Sequence, residues 1–237
     1  MISFSKLGQY GRLGNQLFEL SATISLALNN NDTYVFPNWE YKDHFNLNNC
    51  FATSIANNYV YTEPHFHYSS IPYQANTDIR GYFQSQKYFI NQQNIIKELL
   101  TPKIALGTKY DYTSIHVRRG DYVNQPNNYI QLGMDYYKVA MELVKTKHYI
   151  IVSDDINWCH NNFIGEQFIF SENRSPVEDL ALQITCEHNI IANSSFSWWG
   201  AWLNKNPSKM IVAPNRWFGP NQKHNTKDLL PNEWTKI

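Results

Sequence analysis

The sequence has few cysteines and no excess of charge of one sign. Three of its 237 residues are cysteine, and none lies in a C-x-x-C pair, which argues against a disulfide framework and against a zinc site. Lysine and arginine together number 20, as do aspartate and glutamate, so the formal net charge is +0. This balance argues against a nucleic-acid-binding protein, which normally carries a basic excess, but it leaves room for a single phosphate pocket.

Long apolar runs are absent as well. No segment approaches the ~20 consecutive apolar residues that a membrane-spanning helix needs, and residues 1–6 do not form the start of a signal peptide. The odd, unpaired set of cysteines favours a reducing compartment. We therefore expect a cytoplasmic protein without a transmembrane segment, and peripheral association with a membrane stays an alternative.

Apolar and aromatic residues, by contrast, are plentiful. The chain is 43% hydrophobic, 15% aromatic and 17% charged, which allows it to bury a substantial core. The aromatic residues have two explanations: core packing, and sugar binding, since flat aromatic faces suit the apolar faces of sugar rings. Composition does not choose between them, so a carbohydrate-binding module without catalytic activity stays an alternative.

The order of the predicted elements indicates an α/β protein. Alternating apolar and polar residues predict a strand over 2–7, and apolar residues spaced three and four apart predict a helix over 15–29. Later in the chain predicted strands alternate with predicted helices, which is typical of parallel sheets that bind ligands at the carboxyl ends of their strands. The further strands are predicted at 34–36, 113–117, 149–152, 167–170, 189–192 and 210–213, and the further helices at 88–100, 134–146, 177–186 and 196–204.

One break in this pattern predicts two lobes. Residues 38–80 show no sustained period, and Pro102 ends the helix predicted over 88–100, with Gly107 just beyond it. We place the boundary after residue 105, which gives one lobe of residues 1–105 and another of residues 106–237.

A loop with three regularly spaced glycines precedes the first predicted helix. Gly8, Gly11 and Gly14 follow a G-x-x-G-x-x-G spacing, which differs from the dinucleotide-binding fingerprint. Such a loop can bring its backbone close to a ligand at the start of a helix. The alternative is a tight turn from strand to helix, with Asn15 as the N-cap.

Two arginines follow the strand predicted over 113–117. Because side chains alternate along a strand, His116 and Arg118 share one face and Arg119 lies opposite. A guanidinium is a planar fork of donors that fits a phosphate and stays charged, so the segment predicts an anion site. The alternative is a structural ion pair between one arginine and Asp121, which we expect for Arg119.

An acidic pair and a serine-rich turn follow two other predicted strands. Asp154, after the strand over 149–152, can accept hydrogen bonds from a ribose hydroxyl or a guanine N–H; a metal site with Asp155 ranks second and helix capping third. Ser195 and Ser197 lie at the start of the last predicted helix, where hydroxyls, backbone N–H groups and the helix dipole form an anion cradle, unless either serine is simply an N-cap. The tryptophans that follow are interpreted as core.

Together these segments resemble the α-1,2-fucosyltransferases of glycosyltransferase family 11. The likeness is carried, in order, by L-G-N-Q-L-F at 13–18, H-V-R-R-G-D-Y at 116–122 and N-S-S-F-S-W-W-G-A-W-L at 193–203. The resemblance implies a GT-B-like fold of two Rossmann-like lobes with parallel sheets, the N-terminal lobe on the acceptor side and the C-terminal lobe binding the donor. It also implies a galactoside 2-α-L-fucosyltransferase that moves L-fucose from GDP-fucose to a glycan hydroxyl with inversion and without metal or cofactor.

The resemblance further implies roles for individual residues. Arg118 would hold the donor phosphates, His116 and Asp154 would lie near the guanosine, and the segment Ser195, Phe196 and Ser197 would lie near the β-phosphate. The loop residues Arg12, Gly14 and Asn15 would line the substrate site, with Arg12 and Asn15 facing the fucose.

Two points stay open on the sequence alone. Arg12 follows the version of the loop found in protein O-fucosyltransferases, where many α-1,2 members have glycine, so another GDP-sugar, or a protein or oligosaccharide acceptor, stays an alternative. Asp121 and Glu19 are the candidates for a catalytic base that would activate the acceptor hydroxyl.

Overall fold

The computed structural model describes residues 1–56, 58–104 and 112–237, which form two compact units. The first unit comprises Met1–Lys103 and His224–Pro231, and the second comprises Ile104–Lys223 and Asn232–Ile237. The predicted boundary after residue 105 and Gly107 both lie outside the described residues. No feature of the sequence indicated that the segment 224–231 would join the first unit.

The first unit contains a four-stranded sheet in which all described pairs are parallel. The strand order is β2-β1-β4-β3, with β1 and β4 at the centre. Its strands are β1 (Ile2–Ser3), β2 (Tyr34–Val35), β3 (Tyr59–Thr62) and β4 (Thr77–Arg80); its helices are α1 (Leu13–Asn29) and α2 (Gln93–Leu100); its 3₁₀ turns are Lys42–His44, Gln86–Tyr88 and Ile90–Gln92.

Strand β1 is much shorter than the strand predicted over 2–7. The buried carboxylate of Asp78 on β4 accepts hydrogen bonds from the backbone N–H of Ser5 at 2.6 Å and from its hydroxyl at 2.7 Å. Ser5 therefore gives its backbone donor to a side chain instead of a neighbouring strand, and the chain leaves the sheet at that point.

Helix α1 is buried over most of its length, although it carries several polar side chains. The hydroxyls of Ser21 and Thr23 donate to the carbonyls one turn back, at 2.7 Å each, which satisfies them inside the helix. Glu19 is also fully buried, and neither of its carboxyl oxygens has a hydrogen-bond partner among the described residues. Burial raises the pKa of Glu19 to about 9, so this carboxyl is protonated at neutral pH.

The second unit contains a six-stranded sheet, again with every described pair parallel. The order is β10-β9-β8-β5-β6-β7, so the predicted α/β class with parallel sheets is confirmed. The strands are β5 (Thr113–Val117), β6 (Tyr149–Ser153), β7 (Phe168–Phe170), β8 (His188–Ile190), β9 (Ile211–Ala213) and β10 (Thr235–Lys236). The helices are α3 (Gly120–Val123), α4 (Met134–Val144), α5 (Ile156–Asn162), α6 (Pro176–Thr185) and α7 (Ser195–Leu203).

Apolar side chains cover both faces of this sheet. Ile115 and Ile151 pack in a buried cluster with Tyr137 of α4, while Ile150 and Val152 pack against Leu182 of α6 on the other face. Every residue of β5 is buried, as expected for the central strand of a parallel sheet. The tryptophans of α7 are buried and contact one another, so they are core residues as predicted.

Two further sequence features have structural counterparts. All three cysteines are buried and carry free thiols. Within the described part of the chain, no helix combines the length and the apolar character that crossing a membrane would require.

The buried carboxyl of Glu19 yields a prediction about the pH dependence of stability. Between about pH 5 and 9 the folded protein keeps a proton that the unfolded chain releases, so the free energy of unfolding falls as pH rises, by up to about 1.4 kcal/mol per pH unit. Glu19→Gln is neutral at every pH and abolishes this loss. In urea unfolding at pH 5, 7 and 9, the free energy of unfolding of the variant should rise relative to that of the wild type as the pH rises.

The matched control is Glu98→Gln, which changes an exposed carboxylate of α2 in the same unit. Its difference from the wild type should stay small at all three pH values. A difference between Glu19→Gln and wild type that does not vary with pH would contradict a protonated Glu19.

Candidate functional site

The candidate site of the second unit lies at the carboxyl ends of β5 and β8. The chain adds β6 and β7 on one side of β5, then returns and adds β8, β9 and β10 on the other side. The segments that leave β5 and β8 therefore diverge, and this reversal of strand order is where open α/β sheets bind ligands. His116 and Arg118 lie at the end of β5, and the serine-rich turn follows β8.

His116 is a buried, neutral imidazole at this end of β5. Its ring lies 5.5 Å from that of Phe196, centroid to centroid, and its Nδ1 has no hydrogen-bond partner among the described residues. Burial, assisted by the charge of Arg118, lowers the pKa of His116 to about 3. The ring is therefore uncharged at neutral pH and offers one donor and one acceptor nitrogen.

Arg118 is held by two carboxylates and an aromatic ring. Nη2 forms an ion pair with Asp121, Nη1 pairs with Oδ2 of Asp154 at 2.6 Å, and the guanidinium lies 4.8 Å from the ring centroid of Tyr122. Tyr122 in turn stacks on Tyr129, with 3.8 Å between centroids and 8° between planes. These contacts fix the direction of the guanidinium.

Arg119 has a separate set of partners, which corrects one expectation. Its Nε donates to Oδ2 of Asp155 at 3.1 Å, and its guanidinium lies 4.3 Å from the centroid of Trp158. The arginine that pairs with Asp121 is thus Arg118, not Arg119. The prediction failed because the chain turns into α3 immediately after the strand, so strict alternation ends at Arg118.

Asp154 and Asp155, the two residues after β6, have different structural roles. Asp154 pairs with Arg118 and also accepts the backbone N–H of Arg119 at 2.9 Å. Asp155 is the N-cap of α5, accepting the backbone N–H of Trp158 at 3.2 Å, so helix capping applies to this residue. Over the described ranges, no group of three or more His, Cys, Asp or Glu side chains is arranged to hold a metal ion.

Gly120 is required where the chain passes Asp154. Its φ of +23° lies in a region that L side chains rarely adopt, and a Cβ at this position would overlap Oδ2 of Asp154. The absence of a side chain therefore allows the aspartate to reach Arg118.

The serine-rich turn forms the start of α7. Ser194 is the N-cap, its Oγ accepting the backbone N–H of Phe196 at 3.3 Å, so the alternative in which Ser195 or Ser197 caps this helix does not apply. Ser195 is the first residue of the helix, and the buried hydroxyl of Ser197 is within 3.4 Å of the carbonyl of Ala192. The ring of Phe196, in the first turn of α7, packs against His116, so the positive dipole end of the helix lies near this end of β5.

Sequence reasoning missed Asn193 as a positioning residue for this turn. Its buried Nδ2 donates to the carbonyl of Ile130 at 3.1 Å and to that of Trp217 at 2.8 Å. One side chain thus fixes the turn to two loops that are far away in the sequence. The only signal was its place directly after a predicted strand.

The glycine loop lies at the corresponding place in the first unit. It follows β1, one of the two central strands, and Oδ1 of Asn15 accepts a hydrogen bond at 2.9 Å from Gln84, which follows β4. Arg12 is exposed at the start of α1 and Gly14 is buried in its first turn. Because the helix begins at Leu13, Asn15 is not its N-cap, which corrects that interpretation.

The chain is similar to known proteins in both sequence and fold. The sequence matches the profile of glycosyl transferase family 11 over residues 31–237. It is 27% identical to an α-1,2-colitosyltransferase of Escherichia coli, over 94% of this chain and 83% of that protein. It is 37% identical to the O-antigen biosynthesis glycosyltransferase WbnK of Escherichia coli, over 61% of this chain and 50% of that protein, so the match spans about half of WbnK.

More distant similarity extends to an animal enzyme and to solved structures. The chain is 33% identical to galactoside 2-α-L-fucosyltransferase SEC1 of Bos taurus, over 39% of this chain and 28% of that protein. Its fold matches NodZ α-1,6-fucosyltransferase with a TM-score of 0.52 at 13% identity, covering 85% of this chain and 92% of that chain. It matches POFUT1 with 0.51 at 12% identity, covering 90% and 97%. The GT-B-like fold predicted from the sequence is thereby confirmed.

The contact between Gly120 and Asp154 predicts a stability effect. Gly120→Ala introduces a Cβ at positive φ that overlaps a carboxylate, so the variant should lose roughly 1–3 kcal/mol of unfolding free energy. Gly133→Ala is the matched control, because nothing lies within 4 Å of a Cβ there. Chemical denaturation should leave Gly133→Ala within about 0.5 kcal/mol of wild type; equal stability of the two variants would contradict the crowding at Gly120.

Proposed function

Because the chain belongs to glycosyltransferase family 11, we propose that it transfers L-fucose from GDP-fucose to a sugar hydroxyl of a glycan. In full, the proposal is a galactoside 2-α-L-fucosyltransferase that inverts the anomeric carbon and needs neither metal nor cofactor. One observation carries it: Arg118 and the neutral His116 lie together at the carboxyl end of β5, where the strand order reverses, and the ring of His116 packs against Phe196 at the start of α7.

The chemistry requires positive charge and N–H donors at one place. When the bond between fucose and GDP breaks, negative charge grows on the β-phosphate and must be met by fixed groups if no metal is present. In this proposal Arg118 and the backbone N–H groups of Ser195 and Ser197, on either side of Phe196, supply them. Both are held in place, Arg118 by Asp154 and the turn by Asn193, so little reorganisation is needed during the reaction.

The remaining site residues are assigned to the two ends of the donor. Neutral His116 and Asp154 are proposed to contact the guanosine, since an uncharged imidazole and a carboxylate suit base and ribose groups. In the first unit, Arg12, Gly14 and Asn15 are proposed to line the fucose and acceptor side. The first unit would thus serve the acceptor and the second unit the donor.

The two candidates for a catalytic base, Glu19 and Asp121, have very different surroundings. Glu19 is protonated at neutral pH and its carboxyl is buried in α1, so it is unsuited to remove a proton from an acceptor. Asp121 is ion-paired with Arg118, which ties its carboxylate to the donor side. A transition state with oxocarbenium character, in which the leaving group departs early, would need only weak help from a base.

A second candidate is a transferase for a different sugar. One relative, matched over 94% of this chain and 83% of its own length, is named an α-1,2-colitosyltransferase. Nothing in Arg118 or the serine turn selects the sugar itself. Donor competition assays separate the two, because the preferred nucleotide sugar displaces the others. A non-enzymatic carbohydrate-binding module would instead bind sugar without nucleotide.

Calorimetric titration with GDP, UDP and GDP-fucose in the presence of EDTA tests the donor class. We expect GDP and GDP-fucose to bind and UDP not to bind. Arg118→Ala should lower the rate of transfer by about 100-fold or more, as loss of a charge-stabilising contact does, with its circular dichroism spectrum unchanged. Arg216→Ala, an exposed arginine of the same unit, is the control and should stay active; an active, folded Arg118→Ala protein refutes the site.

Metal removal is a separate test. Transfer activity measured with and without EDTA should differ little, because in this proposal Arg118 and the N–H groups of α7 take the role that a metal plays elsewhere. Strong inhibition by EDTA, reversed by a divalent cation, would restore the metal-site interpretation of Asp154 and Asp155.

A further inference from the structure

We propose that Asp121 occupies, in the ligand-free protein, the place on Arg118 that the diphosphate of the donor takes on binding. Binding would then exchange one anion for another on the same guanidinium. This inference rests on the proposed function, since it concerns the arginine assigned to the donor phosphates, and it predicts the sign of an effect that the proposed function leaves open.

The starting observation is that both terminal nitrogens of Arg118 already have anionic partners. Nη2 pairs with Asp121 and Nη1 with Asp154, while the ring of Tyr122 lies against the guanidinium. One positive charge thus faces two negative charges. A phosphate that binds through parallel N–H bonds from Nη1 and Nη2 meets both carboxylates, so binding at this edge displaces one of them.

The surroundings of the two carboxylates indicate which one leaves. Asp154 is held on its other oxygen by the backbone N–H of Arg119 at 2.9 Å, and glycine at position 120 gives it room to stay close. Its side chain is 26% exposed, whereas that of Asp121 is 45% exposed. Asp121 also lies on α3, a helix of four residues. It is therefore the more exposed of the two carboxylates and the one that can turn toward water when an anion binds.

This arrangement has a consequence for the reaction cycle. With Asp121 as a competitor, Arg118 is neutralised before the donor arrives and again after GDP leaves. The carboxylate therefore weakens binding of both donor and product, and it speeds the release of GDP by offering Arg118 a replacement anion. The alternative role, in which Asp121 orients Arg118 for the phosphate, predicts the opposite effect on affinity.

The experiment is calorimetric titration of GDP into the wild type and Asp121→Asn, with EDTA present, at low and high salt. Loss of the competing charge should tighten the Kd for GDP by about fivefold at low salt, and the gain should shrink as salt rises. Asp121→Ala repeats the test without an amide that could still accept from Arg118. Asp154→Asn should change the Kd in the other direction, because it removes the anchoring carboxylate.

Glu142→Gln controls for a general change in charge, because it removes an exposed carboxylate of α4 in the same unit. A gain in affinity equal to that of Asp121→Asn would overturn the inference, as would unchanged or weaker GDP binding in both Asp121 variants. Failure of the proposed function is distinguishable, because in that case the wild type itself would not bind GDP.

Discussion

The ion pair between Arg118 and Asp154 is the contact on which the candidate site depends. It follows from strand register: in the parallel pair of β5 and β6, Val117 lies beside Ser153, so the next residue of each strand also comes side by side. The pair forms only because Gly120 leaves space for the carboxylate. A single ion pair thus joins the ends of β5 and β6 and holds the guanidinium at the carboxyl edge of the sheet.

A similar contact between a carboxylate and a backbone N–H is found where the chain leaves β1 in the first unit. There the carboxylate of Asp78, on β4, accepts the backbone N–H of Ser5 just beyond β1, as Asp154 accepts that of Arg119 just beyond β5. In each unit, a carboxylate on or just after the neighbouring strand accepts a backbone N–H from the segment that leaves a central strand. These N–H groups are hydrogen-bonded to carboxylates, so the chain can leave the sheet here without an unpaired backbone donor.

Periodicity predicted most of the strands and helices of the second unit, but it missed β3 and β4 of the first unit and α5 of the second. It did not predict the contacts between side chains. The strand at 113–117 is β5 itself, because a run of buried residues flanked by polar ones leaves little choice. The cap at Ser194 was not predicted, and the partner of Asp121 was predicted to be Arg119 although it is Arg118. Each of these contacts depends on a single backbone turn. The contacts of Asn193 with Ile130 and Trp217 have no local signal, because tertiary packing alone creates them.

Like the chain as a whole, the site has no excess of positive charge, and this limits how an anion can bind there. A chain with formal net charge +0 attracts nucleotides through no general positive field, and Arg118 has two carboxylate partners. Affinity must then come from short-range geometry: N–H donors at the start of α7, a neutral His116 that adds no charge, and an arginine that becomes available when a partner moves. Such a site favours a ligand with correctly spaced acceptor atoms over one that is merely highly charged. The ligand replaces the carboxylate of Asp121 on Arg118, so what it gains is hydrogen-bond geometry and not an additional ion pair.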